Sequence, residues 1–113
     1  MRNGHWVKEY PAEIVICDTG GIILEMNNQA ELLFAAEGGC DLLGTNLLDC
    51  HPQPALGKLE VMLDRQISNS YFNTENGKKD FIFQSPWYID GQYAGFVEIS
   101  FRVPDEIPHF VRK

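Results

Sequence analysis

Cys50 and His51 stand side by side in Asp49-Cys50-His51-Pro52, with Cys40 upstream at the spacing Cys40-x9-Cys50. A thiolate beside an imidazole is the pairing used for nucleophilic catalysis, and thiolates with imidazoles are the common zinc ligands. Neither chemistry is supported by the spacing. Structural zinc sites use tight Cys-x-x-Cys pairs and need a fourth ligand, which is not evident here. Catalytic pairs are assembled by the fold from separated positions with a third group to orient the base, whereas sequence neighbours rarely face each other. No constellation of the kind an active site needs is present, so the chain is not expected to be an enzyme. The three cysteines, Cys17, Cys40 and Cys50, are odd in number and widely spaced. That pattern suits reduced thiols acting as small buried hydrophobes better than a disulfide framework.

The balance of charge excludes further classes. Nine Lys and Arg against 16 Asp and Glu give a formal net charge of −7. Phosphate backbones and anionic membrane surfaces are both bound through clustered basic residues, so neither nucleic acid nor a membrane is an expected partner. The N-terminal residues lack an apolar stretch of signal-peptide length, and no run approaches a membrane span. A cytoplasmic location is expected. At 113 residues, 44% of them hydrophobic, the chain fits one globular domain.

The aromatic residues are the better functional clue. Phe81, Phe83, Trp87, Tyr88 and Phe96 fall in two long strand-like runs, and Phe34 in a helical one. Such residues either pack as an ordinary core or line an apolar pocket of the kind that holds small molecules.

The elements that must position these residues follow from turn chemistry and periodicity. Ala12 to Cys17 is a β-branched run closed by Asp18-Thr19-Gly20-Gly21, and Ile22 to Met26 continues it, which predicts a hairpin. Asn28 with Glu31 has the logic of a capping box, and Ala30, Leu33 and Phe34 repeat at helical spacing before Gly38-Gly39. A helix of about ten residues is expected there. Short helical turns are expected around Asp41 to Asp49. A longer helix should run from Pro54 or Ala55 to Gln66 with Leu56, Leu59, Met62 and Leu63 on one face. Asn76-Gly77 and Asp90-Gly91 then separate strands at Ser70–Glu75, Lys78–Tyr88 and Gln92–Val103. Strands at both ends with helices between them predict an α+β domain with the helices on one face of an antiparallel sheet.

Asp18-x-x-Gly21-x-Ile23-x-x-x-Asn27 resembles the opening signature of PAS sensor domains, and the order of elements from Ala12 to Val103 is similar to that fold. Gly44 and Leu47-Leu48-Asp49, the Asn76-Gly77 turn and the Tyr93-Ala94-Gly95 entry to the last strand agree with it. The resemblance implies a PAS fold: a five-stranded antiparallel sheet of order 2-1-5-4-3 with short helices on one face. It divides the chain into an N-terminal flanking segment at 1–11, the domain at 12–103 and a tail at 104–113. It also gives Asp18, Gly21 and Asn27 structural roles, with Asn27 or Asn28 launching the first helix.

The function implied is a sensory module of bacterial-type signal transduction. It would hold a small apolar or amphipathic molecule between sheet and helices and signal through protein association. The alternative is a dimerisation module whose core is filled by its own side chains. By analogy with the family the inward residues are Val15, Cys17, Leu24, Met26, Phe34, Val97 and Ile99. On the fourth strand Phe83-Ser85-Trp87 and Ile82-Gln84 compete for the inward face, so both Gln84 and Trp87 are candidates. The cofactor is not identified. The flavin-binding Gly-x-Asn-Cys-Arg-Phe motif is missing, and haem ligation through His51 is disfavoured because Pro52 forces His51 out of helical geometry. Ile14 and Ile16 would face away from the pocket. Residues 3–10, with Trp6, Val7 and Tyr10, could cover that side from the same chain or from a second copy, hence an expected homodimer. Pro104 and Pro108 interrupt any signalling helix beyond Val103, so a stand-alone PAS protein acting through a separate signalling protein is expected.

Overall fold

A computed structural model describes residues 5–113, with the backbone alone described at residues 5, 37, 40 and 50. Strands β1 (Glu13–Cys17) and β2 (Ile23–Met26) are followed by helix α1 (Asn28–Leu33) and a series of single 3₁₀ turns. Helix α2 (Ala55–Arg65) and strands β3 (Asn69–Glu75), β4 (Lys78–Ile89) and β5 (Gln92–Arg102) complete the fold. The five strands form one sheet of order β2-β1-β5-β4-β3, antiparallel at every pairing, as the resemblance to PAS domains implies. Asn76 and Asp90 both take positive φ, 53° and 49°, the backbone that two-residue hairpin loops require. No helix among the described residues is long and apolar enough to cross a membrane.

The first hairpin is built as its residues demand. Asp18 Oδ1 accepts the N–H groups of Gly20 and Ile22, each at 2.9 Å. Gly21 sits at φ +92°, where a Cβ would also stand 2.9 Å from Asn46 Oδ1. The outer edge of β2 is covered by the segment after α1. The N–H of Ile23 donates to Thr45 O, that of Gly44 to Ile23 O and that of Leu47 to Gly21 O, all within 2.9 Å. Few backbone groups on that edge remain open to pairing with another chain.

That edge contact explains why the first helix is shorter than expected. Its α-helical part has six residues and gives way to a 3₁₀ turn at Ala35–Glu37 and a left-handed Gly38. Residues 44–47 must return to β2, and a straight ten-residue helix would carry the chain past it. The cap is Asn27 rather than Asn28. Asn27 is extended at φ −83°, ψ 177°, and its Oδ1 accepts the Ala30 N–H at 3.1 Å. The same oxygen accepts the Ile14 N–H at 3.0 Å, and Nδ2 donates to Ala12 O at 2.7 Å and Tyr10 O at 3.4 Å.

The apolar side chains of α2 divide as the spacing predicts, with Met62 and Leu63 buried and Val61 exposed. Two hydrophobic clusters fill the space between helices and sheet. One joins Cys17, Met62, Leu63 and Phe96, the other Ile23, Met26 and Ala30. Cys17 is a buried free thiol, while the side chains of Cys40 and Cys50 lie outside the described set.

The opposite face of the sheet carries Ile14, Ile16, Val97, Ile99, Phe72, Phe81, Phe83 and Phe101, by the pairing of β1, β5, β4 and β3. Of the segment expected to cover it, residues 5–10 are described and residues 3 and 4 lie outside. The described part is anchored at one corner, where the Asn28 N–H donates to Lys8 O at 2.9 Å, and Val7 is buried beside a half-exposed Trp6–Tyr10 edge contact. Phe72, Phe83 and Phe101 stay 60%, 41% and 43% exposed.

Truncating the Asn27 side chain strands two buried N–H donors and a buried carbonyl at once. Asn27→Ala is expected to lose about 3 kcal/mol in urea unfolding. Asn28→Ala, at an exposed position one residue on, should change stability by about 0.5 kcal/mol or less. Equal losses would show that the amide is not what holds this corner.

Candidate functional site

A cavity of about 350 Å³ lies between the helix-side face of the sheet and the helical segments. Val15, Cys17, Met26 and Phe96 form its sheet side. Phe34, Leu42, Leu47, Leu59 and Met62 close it from α1, the 3₁₀ turns and α2, and Ile23 stands at the β2 edge. The wall is overwhelmingly apolar.

Its polar groups are few and converge. Asn69, Gln84 and Glu98 are direct cross-strand neighbours on β3, β4 and β5, so their side chains share one face. Asn69 Nδ2 donates to Gln84 Oε1 at 3.0 Å, and Gln84 Nε2 donates to Glu98 Oε1 at 2.7 Å. The chain of bonds runs one way, ending on the carboxylate at the cavity wall. Continuing along the same register row, Val15 and then Met26 follow Glu98. The floor therefore grades from polar at β3–β4 to apolar at β1–β2.

His51 also lies on the wall, with Nδ1 2.6 Å from Leu47 O. A carbonyl can only accept, so Nδ1 carries a proton and the other ring nitrogen is the free acceptor in the neutral imidazole. The close Leu47 contact gives His51 the local capping role that Pro52 implies. Among the described residues no group of three metal-ligating side chains comes together.

Burial pushes the Cys17 thiol upward, only partly offset by a hydrogen bond with the Phe96 backbone. A buried thiol held protonated is a poor nucleophile. Burial likewise pushes the Tyr93 hydroxyl up, and that group donates to Leu63 O at 2.8 Å, fastening β5 to α2 below the cavity.

Of the residues expected to face inward, the cavity wall brings together Val15, Cys17, Met26, Phe34, Gln84 and Val97. Leu24, Trp87 and Ile99 are not on it. A register shift between Ile16 and Cys17 makes Ile23 rather than Leu24 the partner of Cys17, which leaves Leu24 49% exposed. Trp87 pairs with Gly95 and donates its indole N–H to Cys17 O at 3.0 Å. A Cβ on Gly95 would run into that same carbonyl, so the close approach requires glycine. On β5 the expected alternation is one residue out of step. Phe96 and Glu98 pair with Cys17 and Val15 and face inward, while Ile99 pairs with Ile14 on the far side. Val97 borders the cavity between them, but its cross-strand partners, Ile16 and Ser85, belong to the far face. Sequence reasoning passed over Glu98 because an acidic residue in a half-buried strand reads as solvent-facing. Its signal was Gln84 at the matching register position.

No family model and no curated protein matches the sequence. Solved structures do match its fold. The PAS domain of histidine kinase ThkA aligns at 21% identity and TM-score 0.60 over 80% of this chain and 97% of that one. The Aer2 receptor of Vibrio cholerae, a dual PAS-heme oxygen sensor, aligns at 15% identity and TM-score 0.59, covering 82% of this chain and 95% of that one. VqmA bound to DPO aligns at 14% identity and TM-score 0.63 over 87% of this chain, which spans 55% of the VqmA chain.

Buried and protonated, Cys17 should label slowly. In a Cys40→Ser, Cys50→Ser background, a disulfide reagent at pH 8 is expected to modify native Cys17 about a hundredfold more slowly than the unfolded chain. The native rate should keep rising as pH passes the ordinary thiol range, since burial raises the pKa. Labelling at the unfolded rate would contradict the burial.

With sheet order β2-β1-β5-β4-β3, helices on one face and this set of structural neighbours, the chain has the fold of a PAS domain.

Proposed function

We propose that this chain is a cytoplasmic, non-catalytic sensory module that holds a small apolar or amphipathic molecule and signals through association with a second copy or a separate signalling protein. Residues 12–103 would be the sensing domain, with 1–11 and 104–113 as flanks. The observation that carries this reading is the cavity itself. Apolar side chains from six or more elements surround about 350 Å³ of space without filling it, where a self-filled core would close. A space of that size with a few convergent polar groups is what small-molecule sites look like. Structural neighbours support ligand sensing as a use of the fold, since one is a heme oxygen sensor and another is bound to DPO.

The proposal includes neither haem nor flavin. The cavity is at the lower end of small-molecule pockets and suits a compound of about 10 to 15 non-hydrogen atoms. Native mass spectrometry of the purified protein, compared with the same sample denatured, tests this. An excess mass lost on denaturation is expected. A bare protein would favour the self-filled dimerisation module.

Association is assigned to the aromatic side of the sheet. Phe72, Phe81 and Phe101 stack across three strands at 5.4 and 5.7 Å between ring centroids, on a face that is partly exposed. Contiguous apolar surface of this kind marks an interface. Light scattering should report a dimer, and Phe101→Glu with Phe83→Lys should halve the mass while leaving the circular dichroism unchanged. A wild-type protein that stays monomeric at high concentration would remove this part of the proposal.

A further inference from the structure

Glu98 is an odd residue to find beside an apolar cavity. It occupies the centre of the sheet on β5, flanked by Gln84 on one side and Val15 on the other. Among the described residues its carboxylate takes one side-chain hydrogen bond, from Gln84 Nε2 at 2.7 Å. Among the described residues the ion pairs are Lys8–Glu31 and Arg102–Asp80, and neither reaches the cavity. A carboxylate has about four lone-pair sites, so most of the acceptor capacity of Glu98 is not used by the described residues.

The neighbouring groups do not supply the missing donors. Asn69 holds the Gln84 amide so that its NH₂ meets Glu98 and its oxygen points back to β3. His51 spends its Nδ1 proton on Leu47 O, leaving an acceptor in the neutral ring. Of the charged groups that act on Glu13, Asp80 and Glu98 are anionic, and the cation, Arg102, is bonded to Asp80 at 2.8 Å. Burial pushes the Tyr71 hydroxyl and the Glu13 carboxyl up, and the field of Glu98 adds to both. The whole chain carries a formal charge of −7. The polar end of the cavity therefore offers acceptors and negative potential, which an anionic ligand would be repelled by and a donor cation would complete.

Building on the reading of the cavity as a small-molecule site, we infer that its ligand is a compact molecule with an apolar body and a protonated nitrogen, with Glu98 as the group that selects it. The apolar body lies against Met26, Phe34 and Leu47, and the N–H group bonds the Glu98 carboxylate beside Gln84. Gln84 is a positioning residue, aligned by Asn69 to fix the carboxylate.

Three probes share one body and differ in their head group: phenethylamine, phenethyl alcohol and phenylacetate. Titration calorimetry of the wild-type protein at neutral pH, where the amine is cationic, should rank amine above alcohol above acid, with the amine about tenfold tighter than the alcohol. Glu98→Gln, which keeps the shape and removes the charge, should bring amine and alcohol to within about twofold of each other. Glu98→Asp should weaken the amine preference without abolishing it, and the wild-type ranking stands as a test even if a variant fails to fold. Phenylacetate binding as tightly as phenethylamine would overturn the inference, as would an amine preference that survives Glu98→Gln. Alcohol and acid binding with no amine preference would leave the cavity reading intact and remove only the charge selection. Failure of all three probes to bind would remove the cavity reading and the inference with it.

Discussion

One buried amide holds the corner on which the fold turns. Asn27 is fully enclosed, and its side chain bonds the backbone of β1, the first turn of α1 and the segment leading into β1. The Tyr10 carbonyl also accepts the Ala12 N–H, but the buried Ile14 and Ala30 N–H groups and the Ala12 carbonyl depend on the Asn27 amide once water is excluded, so these three contacts stand or fall together. They set where β1 begins and where α1 starts, and thereby how far the helical segments stand from the sheet. The cavity is a consequence of that spacing. Closing the corner differently would tilt α1 and bring Phe34 and Leu42 to other positions over Met26 and Val15.

Much of this was legible in the sequence because it is local. Asp18, Asn76-Gly77 and Asp90-Gly91 are turn residues whose conformations follow from their own chemistry, and they mark off the strands to within a residue or two. The apolar spacing of α2 needed no tertiary information either. Asn27 was legible as part of a signature, but its bonds were not, since Ile14, Ala12 and Tyr10 lie far from it along the chain. The length of α1 was hidden for the same reason. Ala35 and Ala36 favour a helix in isolation, and only the return of residues 44–47 to β2 makes a 3₁₀ turn the better solution.

The inward faces depended on counting by two, and a single register shift defeats that count. The shift at Ile16/Cys17 explains Leu24, while Trp87 keeps step with Phe83 and Ser85 on the far face because Gln84, paired with Glu98, takes the inward one. On β5 the difficulty was different. Val97, Ile99 and Phe101 are the apolar set, and apolar residues are ordinarily assigned to the helix-covered face. Here the sheet is apolar on both sides, so hydrophobicity did not distinguish them. Cys17 and Phe96 pair directly, and that pairing settles the alternation of the whole strand.

The two-sidedness of β5 has a mechanical meaning. It lies between β1 and β4 at the centre of the sheet, and consecutive residues address opposite faces. Glu98 faces the cavity, and Ile99 faces the aromatic surface one peptide unit away. Gly95 lets the start of the same strand press against β1, and Trp87 locks that contact from β4. A strand braced at one end and hydrogen-bonded along both edges does not bend residue by residue. Under the proposed function a rotation at Glu98 would be carried to Ile99 and Phe101 as a change in sheet twist, because close-packed elements move as units rather than deforming continuously. Under the proposed function the route from cavity to association surface is therefore the thickness of one strand, with no need for a helix leading out of the domain.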